Sequence, residues 1–235
     1  MRMAPTNTQR WLVIAAVEGP VVLPRIDFPR CRIVNGEMRT RVSATSSDEA
    51  KKEAEVLFQR ATWSLLLSSR RHYNFKVGSV KSLAESGART IYAAATLRLR
   101  LTPEDTATAI ELYKLLRAIR PAPRRLQMAL SDLQDAIADG TPFAFVHLHR
   151  CLEQIKEYFG GWEPMRRELK VSKRRRRYIT TRRSRPEFGI AHAPLKRGPR
   201  TTLTPEEIRK GISVGVEVVK RFVLFLAGRP VGDPT

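Results

Sequence analysis

The chain has 235 residues, 42% hydrophobic and 28% charged, enough aliphatic side chains for one sizeable core or a core with a smaller companion; disorder along the whole length is excluded. Lys and Arg number 43 against 23 Asp and Glu, a formal net charge of +20, and such a surface draws polyanions, nucleic acid before an anionic membrane. Cys31 and Cys151 lie far apart and make neither a disulfide framework nor a zinc spacing, so the reducing cytoplasm is the expected compartment.

Residues 11–45 read as strands. Trp11–Val17 is a short apolar run, too short for the core of a signal peptide, and it breaks at Gly19-Pro20. Arg32-Ile-Val34, Asn35-Gly36 and Met38–Val42 give a hairpin, because Asn-Gly supplies two residues that tolerate positive φ. Arg39, Arg41 and Ser43 alternate with Met38, Thr40 and Val42, which predicts one exposed face. Ser46-Ser-Asp-Glu49 opens a helix that keeps an apolar face to about Ser68. Phe75–Val80 and Arg89–Leu101 read as further strands.

From Thr102 onward the pattern is helical. Thr102-Pro-Glu-Asp105 starts one helix, which stops at Pro121-Ala-Pro123. A second runs from Pro123 to about Ala138, before Asp139-Gly140. A third runs from Pro142 to Phe159, with Phe145, Leu148, Leu152, Ile155 and Phe159 on one face and Gly160-Gly161 after it. A shorter helix starts near Glu163. Thr204-Pro-Glu-Glu207 has the spacing of a capping box and opens a last helix to Gly228. Its apolar part, residues 214–227, is interrupted by Glu217, Lys220 and Arg221, so no membrane span is expected. The fold class is therefore α+β: a small strand-containing domain over 1–101, a helical bundle over 102–228, and a flexible tail over 229–235.

The excess charge is concentrated. Residues 166–200 hold fourteen Lys and Arg against Glu168 and Glu187, so 12 of the 20 excess charges sit in 35 residues. Lys173, Arg174, Arg175, Arg176, Arg177, Arg182, Arg183, Lys196 and Arg197 are the candidate phosphate contacts. Spread around a helix, residues 173–177 favour phosphate over burial. Tyr178 and Phe188 are placed to stack on unpaired bases. RNA is the expected partner ahead of DNA.

No phosphate-cradling Gly-rich loop, dinucleotide fingerprint, zinc-protease motif or nucleophile elbow occurs, and no Asp, Glu and His cluster suggests a two-metal nuclease. No metal or cofactor is expected. His72 reads as a surface histidine. His147 and His149, two apart on a helix, point in different directions and read as structural, with Glu153 four residues beyond His149. His192 stands apart, downstream of Arg185 in the basic segment, and a histidine there can exchange protons with a ribose hydroxyl or a leaving oxygen. An arginine such as Arg185 can orient phosphate and stabilise charge growing on phosphorus.

From about Arg124 to Ala227 the chain resembles a HEPN-type helical domain. The resemblance rests on the helix pair ending Phe145-Val-His-Leu-His-Arg-Cys-Leu-Glu153, on the Arg185–His192 pair, and on the closing helix from Thr204. It implies a metal-independent endoribonuclease in which a homodimer brings two Arg/His sets into one cleft. It further implies that Arg185 orients phosphate, that His192 acts in acid/base transfer, and a setting in prokaryotic defence or toxin systems. The alternative is a non-catalytic nucleic-acid-binding or scaffold protein using the same patch. Pro186, where the family has a polar residue, favours it.

Overall fold

The computed structural model describes residues 8–19, 23, 25–83, 101–184 and 203–232, the last three of α6 by backbone alone. The expected strand over Arg89–Leu101 lies outside the described residues except for Leu101. Two compact units divide the chain, residues 1–114 and 115–235.

In the first unit five strands form one antiparallel sheet: β1 (Gln9–Glu18), β2 (Ile26–Phe28), β3 (Cys31–Val34), β4 (Glu37–Ala44) and β5 (Asn74–Ser82), in the order β2-β3-β4-β1-β5. Asn35 (φ 52°) and Gly36 (φ 78°) make the tight turn between β3 and β4, where positive φ at both positions matches the twist of the strands. Strict alternation then sorts the side chains. Val13, Ala15, Ile33, Met38 and Val42 are buried on one face, while Arg39, Arg41 and Ser43 are exposed on the other. A register shift between Ile14 and Ala15, opposite Gly78, keeps Phe75, Val77 and Val80 on the core face of β5.

Helix α1 (Ser47–Ser69) covers that core face. Its N-cap Ser46 accepts the amide of Glu49 at 3.2 Å, and the Glu49 carboxylate accepts the Thr45 amide at 2.8 Å, so the chain is fixed as it leaves β4. The Thr45 hydroxyl and amide both donate to the Glu49 carboxylate, which favours its ionised form and holds it below the usual range. Ala50, Ala54, Leu57, Phe58, Ala61 and Leu65 are buried beneath the sheet. Helix α2 (Pro103–Ala118) starts at Thr102, whose hydroxyl accepts the Asp105 amide at 3.0 Å. Its Tyr113 meets Phe28 at 4.9 Å between ring centroids. The division between units falls inside α2, after Lys114.

The second unit is helical: α3 (Arg124–Asp139), α4 (Ala144–Tyr158), α5 (Trp162–Glu168), α6 (Lys173–Ser184) and α7 (Pro205–Leu226). Helices α3 and α4 form an antiparallel hairpin around Gly140, left-handed at φ 59°, and α7 packs on both. Thr204 and Glu207 exchange the two bonds of a capping box. The core joins Leu126, Leu130 and Leu133 of α3, Leu148, Leu152 and Ile155 of α4, and Val219 and Phe222 of α7. Met165 of α5 and Ile179 of α6 are also buried. Among the described residues, no helix is long and apolar enough to cross a membrane.

Close approach of α4 and α7 depends on two glycines one turn apart. A Cβ at Gly211 would stand 2.7 Å from the Phe145 ring, and one at Gly215 would stand 2.6 Å from a Leu148 methyl. Both neighbours are fully buried, so neither can swing aside cheaply. Gly215→Val is expected to cost about 1–3 kcal/mol by overpacking, read as a melting temperature lowered by several degrees. An unchanged melting temperature would show that the two helices do not need this closeness.

Candidate nucleic-acid interface

The basic run folds as α6, and helix geometry divides its cations. Successive residues turn by about 100°, so Lys173, Arg174 and Arg177 fall within one arc of about 100°, while Arg175, Arg176 and Ile179 fall on the opposite side. Burial follows that division. Lys173, Arg174 and Arg177 are exposed, Arg175 and Arg176 are half-buried, and Ile179 is fully buried. Among the described residues, none of the three outward cations has an ion-pair partner.

The inward cations have structural partners. Arg175 donates to the Glu217 carboxylate on α7. Arg221, one turn further along α7, donates to the same oxygen through Nε at 3.1 Å and Nη2 at 2.8 Å. Its Nη1 reaches the carbonyls of Leu169 (3.1 Å) and Lys170 (2.9 Å) between α5 and α6, and that of Gly232 (3.2 Å) beyond α7. Arg176 lies over the Trp162 ring with its guanidinium carbon 5.2 Å from the centroid, and Lys156 sits 5.4 Å from the same ring.

Tyr178 is likewise engaged within the bundle. Its hydroxyl donates to the Glu207 carbonyl at 3.2 Å, and its ring lies 6.3 Å from that of Phe145. Lys210 of α7 stands 5.4 Å over the Tyr178 ring, which sets an exposed α7 cation beside α6. The described interface is therefore Lys173, Arg174, Arg177 and Lys210, carried on a helix docked through Arg175, Arg176, Tyr178 and Ile179. Arg182 and Arg183 lie at the end of α6, their side chains outside the described residues. Arg185, His192, Lys196 and Arg197, with Pro186 and Phe188, lie outside the described residues altogether.

Outside the basic helix, one further group of polar side chains converges. Asp132 and Asp135 of α3 and His147 of α4 each place a ligand-type atom within 4.8 Å of the others, a set that could hold one metal ion. Asp132 is buried, and Arg150 of α4 stands 3.0 Å from its carboxylate, already supplying a positive charge there. Burial pushes the Asp132 carboxyl above its usual range; Arg150 opposes the shift and the Asp135 charge adds to it. His147 Nδ1 is buried, with no hydrogen bond among the described residues. His149 Nε2 lies 3.6 Å from the Glu153 carboxylate, on the four-residue spacing seen in the sequence. The two cysteines are free and buried, the Cys31 thiol pushed up to about 12 and that of Cys151 still higher, so neither is a ready nucleophile.

Sequence reading did not find Lys210, Trp162 or Glu217. Lys210 and Glu217 reach α6 across more than thirty residues of chain, and no local spacing announces such a pairing. The signal for Glu217 was its interruption of the apolar run over residues 214–227. Comparison with protein-family models, with curated proteins and with solved structures finds no match to this chain.

Removing the Glu217 charge leaves two inward-facing guanidiniums without their shared carboxylate. Glu217→Gln is expected to cost about 2 kcal/mol, seen as a lower denaturation midpoint at pH 7. An unchanged midpoint would mean that α6 is held by its apolar contacts alone.

Proposed function

We propose that this protein binds RNA through the outward arc of α6 and acts in the reducing cytoplasm. The observation that carries the reading is the division of cations on that helix. Lys173, Arg174 and Arg177 share one exposed face beside Lys210, while Arg175 and Arg176 are held by Glu217 and Trp162. A docked helix presenting cations in fixed register meets the phosphate backbone with less ordering cost than a loose basic loop.

The resemblance to HEPN domains, carried by the sequence of the second unit, extends the proposal to a metal-independent endoribonuclease acting as a homodimer in a defence or toxin system. In that reading Arg185 orients the scissile phosphate and stabilises the charge that grows on it. His192 takes a proton from the attacking 2′-hydroxyl and returns one to the leaving 5′-oxygen, the two steps of phosphodiester transfer that need no metal. The second reading, a non-catalytic RNA-binding or scaffold protein, is favoured by Pro186 directly after Arg185, because proline restricts the residue before it to extended backbone.

Single-stranded RNA titrated in EDTA at two salt concentrations separates these readings. Lys173→Glu/Arg174→Glu/Arg177→Glu is expected to weaken binding at least tenfold and to flatten the logarithmic salt dependence by about 0.7 for each lost phosphate contact. Wild-type affinity in that variant would remove α6 from the interface. Cleavage by wild type, lost in both Arg185→Ala and His192→Ala, would support the ribonuclease. Tight binding without cleavage would support the second reading.

A further inference from the structure

We infer that the face of the N-terminal sheet opposite α1 is a second surface for the phosphate backbone of single-stranded RNA. The inference rests on the RNA-binding reading above and extends it to the first unit, for which the sequence suggested no role.

The pairing register assembles the charge. Arg39 and Arg41 point outward from β4, Arg32 lies opposite Arg39 on β3, and Arg10 on β1 pairs with Ser43, two residues beyond Arg41. Lys76 and Lys81 extend the same face onto β5, opposite Ala16 and Leu12. These six cations share the face with three carboxylates, Glu18, Asp27 and Glu37. Asp27 pairs with Arg32 at 2.5 Å, solvent-facing and therefore weak, while Arg39 donates to the largely buried Glu37 carboxylate through Nε at 3.1 Å and Nη2 at 2.7 Å. Each leaves guanidinium donors for another acceptor. Arg10, Arg41 and Lys76 are exposed and have no ion-pair partner among the described residues.

The shape suits an extended strand rather than a point anion. Arg39 and Arg41 are two residues apart on one strand, about 6.8 Å at the usual rise, so a row of cations repeats at a spacing commensurate with successive phosphates. Leu12 and Ile14 of β1 lie directly opposite Arg41 and Arg39 and are only half-buried, giving an apolar strip beside the cationic row. Sugar and base faces can rest on such a strip while the phosphates meet the arginines. At the β3–β4 end the face opens into a cleft of about 530 Å3, lined by Arg30, Arg32, Arg39 and Arg41 with Leu12 and Asp27. Among the described residues of the first unit, α1 fills the opposite face of the sheet and no element packs on this one.

Charge complementarity selects the occupant, and the full-length chain tests it. Arg10→Glu/Arg41→Glu should bind a uridine 20-mer at least tenfold more weakly than wild type, with the logarithmic salt slope reduced by about 1.4 for two lost contacts. Lys51→Glu/Lys52→Glu makes the same change in net charge on the exposed side of α1 and should alter affinity less than twofold. Arg10→Gln/Arg41→Gln, with a circular dichroism melt matching wild type, should reproduce the loss in a folded protein. If the sheet variants bind as wild type while the α6 variant does not, the sheet surface is overturned and the α6 reading stands. If wild type binds no RNA, both fall together. If the sheet variants lose binding to phosphatidylserine vesicles but keep it for RNA, the face serves a membrane and the inference is overturned.

Discussion

Glu217 accepts from two guanidiniums at once, Arg175 of α6 and Arg221 of its own helix, and the placement of the basic helix depends on that shared carboxylate. Helix α6 is Lys-Arg-Arg-Arg-Arg-Tyr-Ile-Thr-Thr-Arg-Arg-Ser, with a single fully buried aliphatic residue, Ile179. Apolar burial of that size contributes about 2 kcal/mol, too little to hold a helix so charged against a bundle. A carboxylate facing its inner side supplies the missing attraction, and Arg221 then extends the clamp to the carbonyls of Leu169 and Lys170 just before α6 begins. Trp162 does the same for Arg176 through its ring face, at an energy smaller than a buried ion pair.

Docking of α6 gives its sequence two roles. Inward cations bind the fold together, and outward cations remain available to a polyanion. A run of five basic residues thus contributes Lys173, Arg174 and Arg177 to the exposed side and Arg175 and Arg176 to the docking side. The same economy of faces organises the N-terminal sheet, where alternation sends Met38, Thr40 and Val42 inward and Arg39 and Arg41 outward. In both units the period of the secondary structure, 3.6 or 2, decides which charges meet solvent.

Much of the fold was legible in the sequence because its signals are local. Asn35-Gly36, the cap at Ser46, Thr102 before Pro103 and the Thr204–Glu207 box each act within four residues, and each marks an element end in the structure. Helix α4 carried a clear apolar stripe in Phe145, Leu148, Leu152, Ile155 and Phe159. The two-fold sorting of residues 173–177 was not legible, since it needs Glu217 forty-two residues away. Nor was the Asp132, Asp135 and His147 cluster, which forms only when α3 and α4 lie side by side. The requirement for glycine at 211 and 215 was equally hidden, because it is set by Phe145 and Leu148 on another helix. Interactions across distant segments leave no spacing to read.

The most direct test of the account is ultraviolet cross-linking of wild-type protein to photoreactive single-stranded RNA, followed by mass-spectrometric mapping of the linked peptides. Cross-links on peptides containing Lys173–Arg177 and Lys210, abolished by excess unlabelled RNA, are the predicted result. Cross-links confined to the exposed side of α1 or scattered over the whole chain, with α6 unlabelled, would contradict it.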